Sequence, residues 1–149
     1  MAKSKGTDFT LKMSGNKMVT SRVLMLAKKY PLAAATALNL EAADTLAEAV
    51  KLTPRKTGRL WRSGRVSKLA RPKSLETRIR YGTWYALAVH EIPAPPATSV
   101  GGQSARHFPP YGQGGQWKYL ETALYNRIPH FSKRVADDIE KLIPKTGLL

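Results

Sequence analysis

The sequence predicts an α+β fold, in which a small antiparallel β-sheet packs on a long alanine-rich helix. Residues 31–52 combine helical spacing of apolar positions with many alanines. Two strand-like segments lie within 65–81, separated by a proline turn. Further helical patterns follow a long Pro/Gly-rich loop towards the C-terminus. The chain has 149 residues, which suits a single domain, 1–149, with its own hydrophobic core.

The first elements are a short strand and a helix. Apolar and polar residues alternate over 8–13, which predicts a half-buried strand. A Ser-Gly-Asn turn follows at 14–16, and the apolar residues between Val19 and Ala27 fall near helical spacing. We therefore expect this strand to lead directly into a first helix.

The long helix begins at Pro31 and ends near Leu52. Proline suits a first helical turn because its missing N–H would have no partner there, and Thr53-Pro54 disfavours continuation. The spacing predicts a buried stripe of Leu38, Ala42, Leu46, Ala49 and Val50 and a solvent-facing stripe of Glu41, Asp44, Glu48 and Lys51.

The next segments predict a β-hairpin. Residues 53–64 are interpreted as a turn and one helical turn, bounded by Gly58 and Gly64. Strands at 65–70 and 75–81 flank the turn 71–74, and their pairing would be antiparallel. Residues 84–91 are apolar and fit either a third strand or a short helix, because periodicity does not distinguish the two at this length.

Residues 92–115 form a predicted long loop, with five prolines and five glycines among 24 residues. Loops of this length are usually functional or disordered. Its aromatic residues Phe108 and Tyr111 suggest an assembly loop that docks on another surface. Helical patterns follow over 116–127 and, after Pro129, in a C-terminal segment at 129–143.

The positive charge is concentrated in one segment. The chain has a formal net charge of +15, and residues 51–80 contain 11 basic residues and one acidic residue. Such a segment attracts nucleic acid, an anionic membrane or an acidic protein surface, and the charge alone does not choose among them.

Five cations recur about every three residues in this segment, and Trp61 lies between two of them. An exposed Trp61 would be able to stack on a base. In the alternative interpretation, Leu60 and Trp61 are the buried side of the element and the cations are only solvated. The candidate polyanion or partner contacts are Arg55, Lys56, Arg59, Arg62 and Arg65.

No pattern of catalytic residues is recognisable. The chain has no cysteine, its apolar runs are far shorter than the ~18 residues of a membrane helix, and its three histidines have no metal-binding spacing. His90-Glu91 is interpreted as a partly buried histidine beside a surface carboxylate, with the two side chains on opposite faces if the segment is a strand. The sequence predicts no enzymatic activity, metal or cofactor.

Three motifs in order suggest a family. The long helix runs into Thr53-Pro54-x-x-Thr57-Gly58-x-Leu60-x-x-Ser63, followed by Tyr85-Ala86-x-x-Val89-His90-Glu91 and by Lys118-Tyr119-Leu120-Glu121-x-Ala123-Leu124. Over a core of about 8–127, the chain resembles the neck proteins of tailed bacteriophages. This tail-completion or head–tail joining family is often labelled minor capsid protein.

The resemblance implies a structural virion protein without enzymatic activity. It would form a ring, commonly of six copies, around the DNA channel at the head–tail junction, after assembly in the cytoplasm of the bacterial host. Its partners would be itself, the connector or stopper, the tail-tube or tail-terminator proteins and, without sequence specificity, packaged double-stranded DNA, but no membrane. The resemblance places Thr57, Gly58 and Leu60 in a turn, Tyr85, Ala86 and Glu91 on a central strand, and Tyr119 and Leu120 on a returning helix.

The alternative function is a stand-alone nucleic-acid-binding protein. It would use the basic segment 51–80 without sequence specificity, through attraction to phosphates. It predicts strongly salt-dependent binding by the isolated protein, whereas the neck protein is defined by its place in the particle.

Overall fold

The fold is α+β, with six α-helices and one two-stranded sheet in the part of the chain that the structure describes. The structure is a computed structural model, and it describes residues 20–55, 57–91 and 115–143. The elements in chain order are α1 (Ser21–Lys29), α2 (Pro31–Leu52), α3 (Arg59–Arg62), β1 (Gly64–Lys68), β2 (Arg78–Tyr81), α4 (Ala86–Glu91), α5 (Tyr119–Arg127), a 3₁₀ turn (Ile128–His130) and α6 (Phe131–Leu142).

Helix α2 is the scaffold of the molecule, and its predicted bounds are confirmed. It contacts α1, α5, α6 and both strands. Ala34, Ala37 and Ala49 are buried along it, and their small side chains let the neighbouring elements approach closely.

The predicted hairpin is also present, with a shorter second strand. Gly64 pairs with Tyr81 and Val66 with Ile79 in an antiparallel register, and a bulge separates Val66 from Lys68. A Cβ atom on Gly64 would lie 2.9 Å from the ring of Tyr81, so only glycine allows this approach. The inner face of the hairpin therefore packs tightly on the core.

Hydrogen bonds fix the far end of the hairpin to α2. The side chain of Asn39 accepts from the backbone N–H of Ala70 at 2.7 Å and donates to its carbonyl at 3.1 Å. Beyond this point, Arg71 and Ser74 close the predicted turn with two backbone hydrogen bonds. The hairpin is therefore held at both ends.

Two apolar clusters lie along α2. One joins its C-terminal half to α3, β2, α4 and α5, and there the rings of Tyr81 and Tyr119 meet edge to face at 4.9 Å. The other joins its N-terminal half to α1 and α6 and includes Val135 and Ile139. The helix predicted after Pro129 thus closes the second cluster.

Within 84–91, the residues Ala86–Glu91 form a helix. The central strand that the resemblance implied for Tyr85, Ala86 and Glu91 is therefore wrong. Ala86, Val89 and His90 are buried, at the i, i+3 and i+4 spacing of one helix face. This face packs against Tyr119, which meets the ring of His90 and donates to the carbonyl of Ala86. The strand predicted at 8–13 and nearly all of the loop 92–115 lie outside the described residues.

Candidate functional site

The predicted basic contacts lie in two places, one around α3 and one on the hairpin. Arg55 follows α2, Arg59 and Arg62 lie on α3, and Arg65 lies on β1. Lys56 lies outside the described residues, as do Phe108 and Tyr111 of the predicted assembly loop.

Gly58 determines how α3 begins. Its φ of +75° is left-handed, a conformation that glycine adopts without the steric penalty of a Cβ atom. The turn that precedes α3 therefore has a local cause in the sequence. It turns Leu60 into the core, where this side chain is buried.

Two arginines lie over the ring of Trp61. The guanidinium carbons of Arg55 and Arg62 lie 5.8 and 5.4 Å from the ring centroid, within the range of a cation–π interaction. Trp61 is half-buried, whereas Arg55, Arg59 and Arg62 are exposed. The interpretation of a buried side with solvated cations thus agrees with Leu60 and with the exposed arginines, whereas Trp61 is only partly covered.

The outer face of the hairpin is the second place, and it carries like charges directly opposite each other. Arg65 pairs across the strands with Arg80, and Lys68 with Arg78. Such cross-strand pairs of like charge destabilise a sheet. Of these four cations, only Arg65 was predicted from the sequence as a contact. The alternation of residues over 75–81 nevertheless places Arg78 and Arg80 on one face of the strand.

Glu76 is the single carboxylate on this hairpin. Arg78 binds it at 3.0 Å and Lys68 at 2.5 Å. The hydrogen bonds from Lys68 and Arg78 lower the pKa of Glu76, so it stays ionised. Within the described residues, seven cations of the basic segment form no ion pair: Lys51, Arg55, Arg59, Arg62, Arg65, Arg71 and Lys73.

A second charged cluster is internal. Glu41 of α2 is 5% exposed, so the prediction that it faces solvent is wrong. Both carboxylate oxygens accept from Arg127 at 2.9 Å, and Arg134 adds two bonds of 2.6 and 3.1 Å. Burial alone would raise the pKa of Glu41, but the hydrogen bonds from Arg134 and Arg127 lower it below the ordinary value. The cluster joins α2 to α5 and α6.

His90 is fully rather than partly buried, and it is hydrogen-bonded to Glu91, whose side chain lies at the surface as the sequence predicted. Its Nδ1 lies 2.7 Å from Oε1 of Glu91, and its Nε2 accepts from the backbone N–H of Glu121 at 3.4 Å. Lys118 bonds to the other oxygen of Glu91 at 2.7 Å. Burial lowers the pKa of His90, and the hydrogen bond with Glu91 opposes that shift.

His90 and its neighbours join the two ends of the segment 92–114. Glu91 is the last described residue before it, and the N–H of Lys118, just after it, donates to the carbonyl of His90 at 2.9 Å. The arrangement is thus a structural clasp. Across the described ranges, no group of three or more His, Asp or Glu side chains could hold a metal ion, and no helix has the length and apolarity of a membrane span.

The three sequence motifs contribute apolar residues to one cluster. Leu60, Ala86, Tyr119 and Leu120 are buried together there. No protein-family model matches the chain, and the comparisons with curated proteins and with solved structures give no match.

Proposed function

We propose that the protein is a structural virion subunit that forms an oligomeric ring at the head–tail junction of a tailed phage. The observation that carries the proposal is the ordered set of motifs at 53–63, 85–91 and 118–124. Shared burial of their apolar residues in one cluster supports it, because residues this far apart then serve one common architecture. In this proposal the subunit has no catalytic role.

Exposed apolar side chains give the proposed ring its contact surfaces. Met25 and Leu32, near the junction of α1 and α2, are 66% and 70% exposed, and Trp84, before α4, is 70% exposed. Large exposed apolar groups are often covered by partners. A closed ring would cover such surfaces on every copy.

The ring would also multiply the basic charge. Six copies would carry a formal charge of about +90, six times that of the single chain. A basic lumen attracts packaged DNA without sequence specificity, and a basic rim attracts acidic neighbours such as connector or tail proteins.

Ring formation and particle incorporation test the proposal together. The purified protein is examined by light scattering and negative-stain microscopy, and virions of the phage that encodes it are probed with an antibody. Rings, or labelling at the neck, support the proposal. A strict monomer that is also absent from virions contradicts it.

A matched pair of variants locates the ring contact. Met25→Ser with Leu32→Ser removes exposed apolar surface at the α1–α2 junction, and Lys28→Ser with Lys29→Ser changes exposed polar residues of the same helix. If this junction is the contact, the first variant yields fewer rings and the second does not. Circular dichroism verifies that both are folded.

The second candidate is the stand-alone nucleic-acid-binding protein, which the cations without ion pairs favour. It predicts binding to free DNA or RNA that is lost when Arg59, Arg62 and Arg65 are replaced by Glu. If the same variant prevents head–tail joining while the unmodified protein never binds free nucleic acid, this candidate is wrong.

A further inference from the structure

We propose that the outer face of the hairpin 64–81 is a docking surface for the phosphate backbone of double-stranded DNA. This rests on the DNA contact named under the proposed function and deepens it, because it assigns that contact to one surface of the single subunit. The contact surface in this proposal is the outer face of the hairpin, which the fold assembles from two strands and a turn, and not the run of basic residues at 55–65 predicted from the sequence.

This surface has an excess of positive charge. Residues 64–81 contain six cations and one carboxylate, a formal net charge of +5. Glu76 already binds Lys68 and Arg78, so it does not compensate the remaining cations. Arg65, Arg71 and Lys73 are exposed and form no ion pair with any described residue. An external anion is the partner that these three lack.

Like charges also lie opposite each other across the strands. Arg65 faces Arg80 in the register, and Lys68 faces Arg78 on the other side of the bulge. Glu76 binds both members of the second pair, whereas Arg65 has no ion pair with a described residue. A phosphate beside Arg65 would offset its repulsion with Arg80, and each phosphate contact releases condensed counterions, which favours binding.

The composition of the face favours duplex DNA over an acidic protein. The apolar residues Val66, Ile79 and Tyr81 alternate with the cations in the two strands, and Tyr81 is buried inside. The outward residues of the paired strands are polar or charged, and the exposed Leu69 and Leu75 lie outside the paired strands, towards the turn. The paired face itself therefore lacks the central apolar anchor typical of a protein–protein contact. A two-stranded ribbon also fits the major groove, which is about 12 Å wide.

The surface is also held in place by the rest of the fold. The inner face packs on α2, and Asn39 binds Ala70 at the far end of the hairpin. A strand rises about 3.3 Å per residue, so Arg65 and Arg71 lie up to ~20 Å apart on a supported ribbon. Binding along several phosphates would then require little further ordering of the backbone.

The test is the salt dependence of DNA binding by the full chain. Affinity for a labelled 25-base-pair duplex is measured by fluorescence anisotropy between 50 and 200 mM salt. Each lost phosphate contact lowers the slope of log affinity against log salt by about 0.9. The variant Arg65→Gln, Arg71→Gln, Lys73→Gln is therefore expected to lower the slope by about 2–3 and the affinity at least tenfold at 100 mM salt.

The matched control removes the same charge elsewhere. Lys28→Gln, Lys29→Gln, Lys133→Gln changes exposed lysines of α1 and α6 that form no ion pair with the described residues. It is expected to keep the unmodified slope within about 1 and the affinity within about threefold, since only the long-range field changes. If the triple hairpin variant does not fold, the double variant Arg71→Gln, Lys73→Gln, confined to the exposed turn, takes its place, with an expected slope change of about 1–2.

Three results would overturn the proposal. The first is no DNA binding by the unmodified protein at 50 mM salt, and the second is an equal loss in the hairpin and control variants. The third is unchanged DNA binding by the hairpin variant together with lost binding to polyglutamate, which would assign the face to an acidic protein. Light scattering follows ring formation separately, so failure of the ring proposal is distinguishable from failure of this one.

Discussion

Arginines occur in two opposite settings in this molecule. At Glu41, two arginines converge on one buried carboxylate with four hydrogen bonds. The hairpin has six cations and one carboxylate, and that carboxylate binds two of the six. A net charge of +15 therefore does not tell which cations are available to a ligand. Their availability depends on which cations already form ion pairs within the protein.

The two settings also differ in their effect on folding. Removing one member of a buried ion pair leaves the other desolvated and unpaired, which is strongly destabilising. Removing an exposed cation that has only like-charged neighbours removes repulsion. The internal cluster should therefore be sensitive to substitution in folding assays and the hairpin in binding assays.

The largest effect is expected for Glu41→Gln. It leaves Arg127 and Arg134 without their shared carboxylate and should lower the free energy of unfolding by about 3 kcal/mol. For a chain of this size, that is a drop in Tm of roughly 6–12 °C. Thermal unfolding followed by circular dichroism measures it.

Asp44→Asn is the control for Glu41→Gln. Asp44 also binds Arg127, at 3.3 Å, but its side chain is 67% exposed. Solvent screens such a pair, so the expected loss is below about 1 kcal/mol. Equal losses in the two variants would contradict the internal role of Glu41.

Gly58→Ala, just before α3, should have the next largest effect on the free energy of unfolding. An alanine at φ +75° is strained, and its Cβ would lie 3.0 Å from the guanidinium of Arg62. We expect a loss of about 1–2 kcal/mol in chemical denaturation. Gly82→Ala is the control, because no atom lies within 4 Å of its Cβ position; the two variants should differ clearly in midpoint.

A smaller, pH-dependent effect is expected at His90. Because burial holds its pKa in the folded protein below the ordinary value, the unfolded chain binds more protons near pH 6.5. The free energy of unfolding should therefore fall as the pH is lowered through 6.5. His90→Gln should flatten this part of the profile, whereas His130→Gln, at an exposed position, should not. Identical profiles for the unmodified protein and His90→Gln would refute the assignment.

The smallest effect on folding is expected for Arg65→Gln. Relief of the repulsion with Arg80 should change the free energy of unfolding by no more than about 0.5 kcal/mol, towards greater stability. Urea denaturation of the variant beside Glu41→Gln compares the two settings directly. A loss above 1 kcal/mol would mean that Arg65 has a structural role.

The sequence predicted the elements whose causes are local. Pro31 and Thr53-Pro54 bound α2, the alternation and turn residues produce the hairpin, and Gly58 starts α3. Each depends on the conformational preference of a few adjacent residues. The concentration of cations in 51–80 is likewise visible in the sequence, as is the absence of a recognisable catalytic pattern.

Only the tertiary structure decided the long-range pairings. Glu41 has the spacing of an exposed residue, yet its partners lie 86 and 93 positions away, and burial follows from them. In the same way, the helix Ala86–Glu91 packs against Tyr119, which is distant in sequence, and strand register brought Arg65 opposite Arg80. Local preference sets backbone geometry, whereas the environment of a charge depends on which distant segments pack against it.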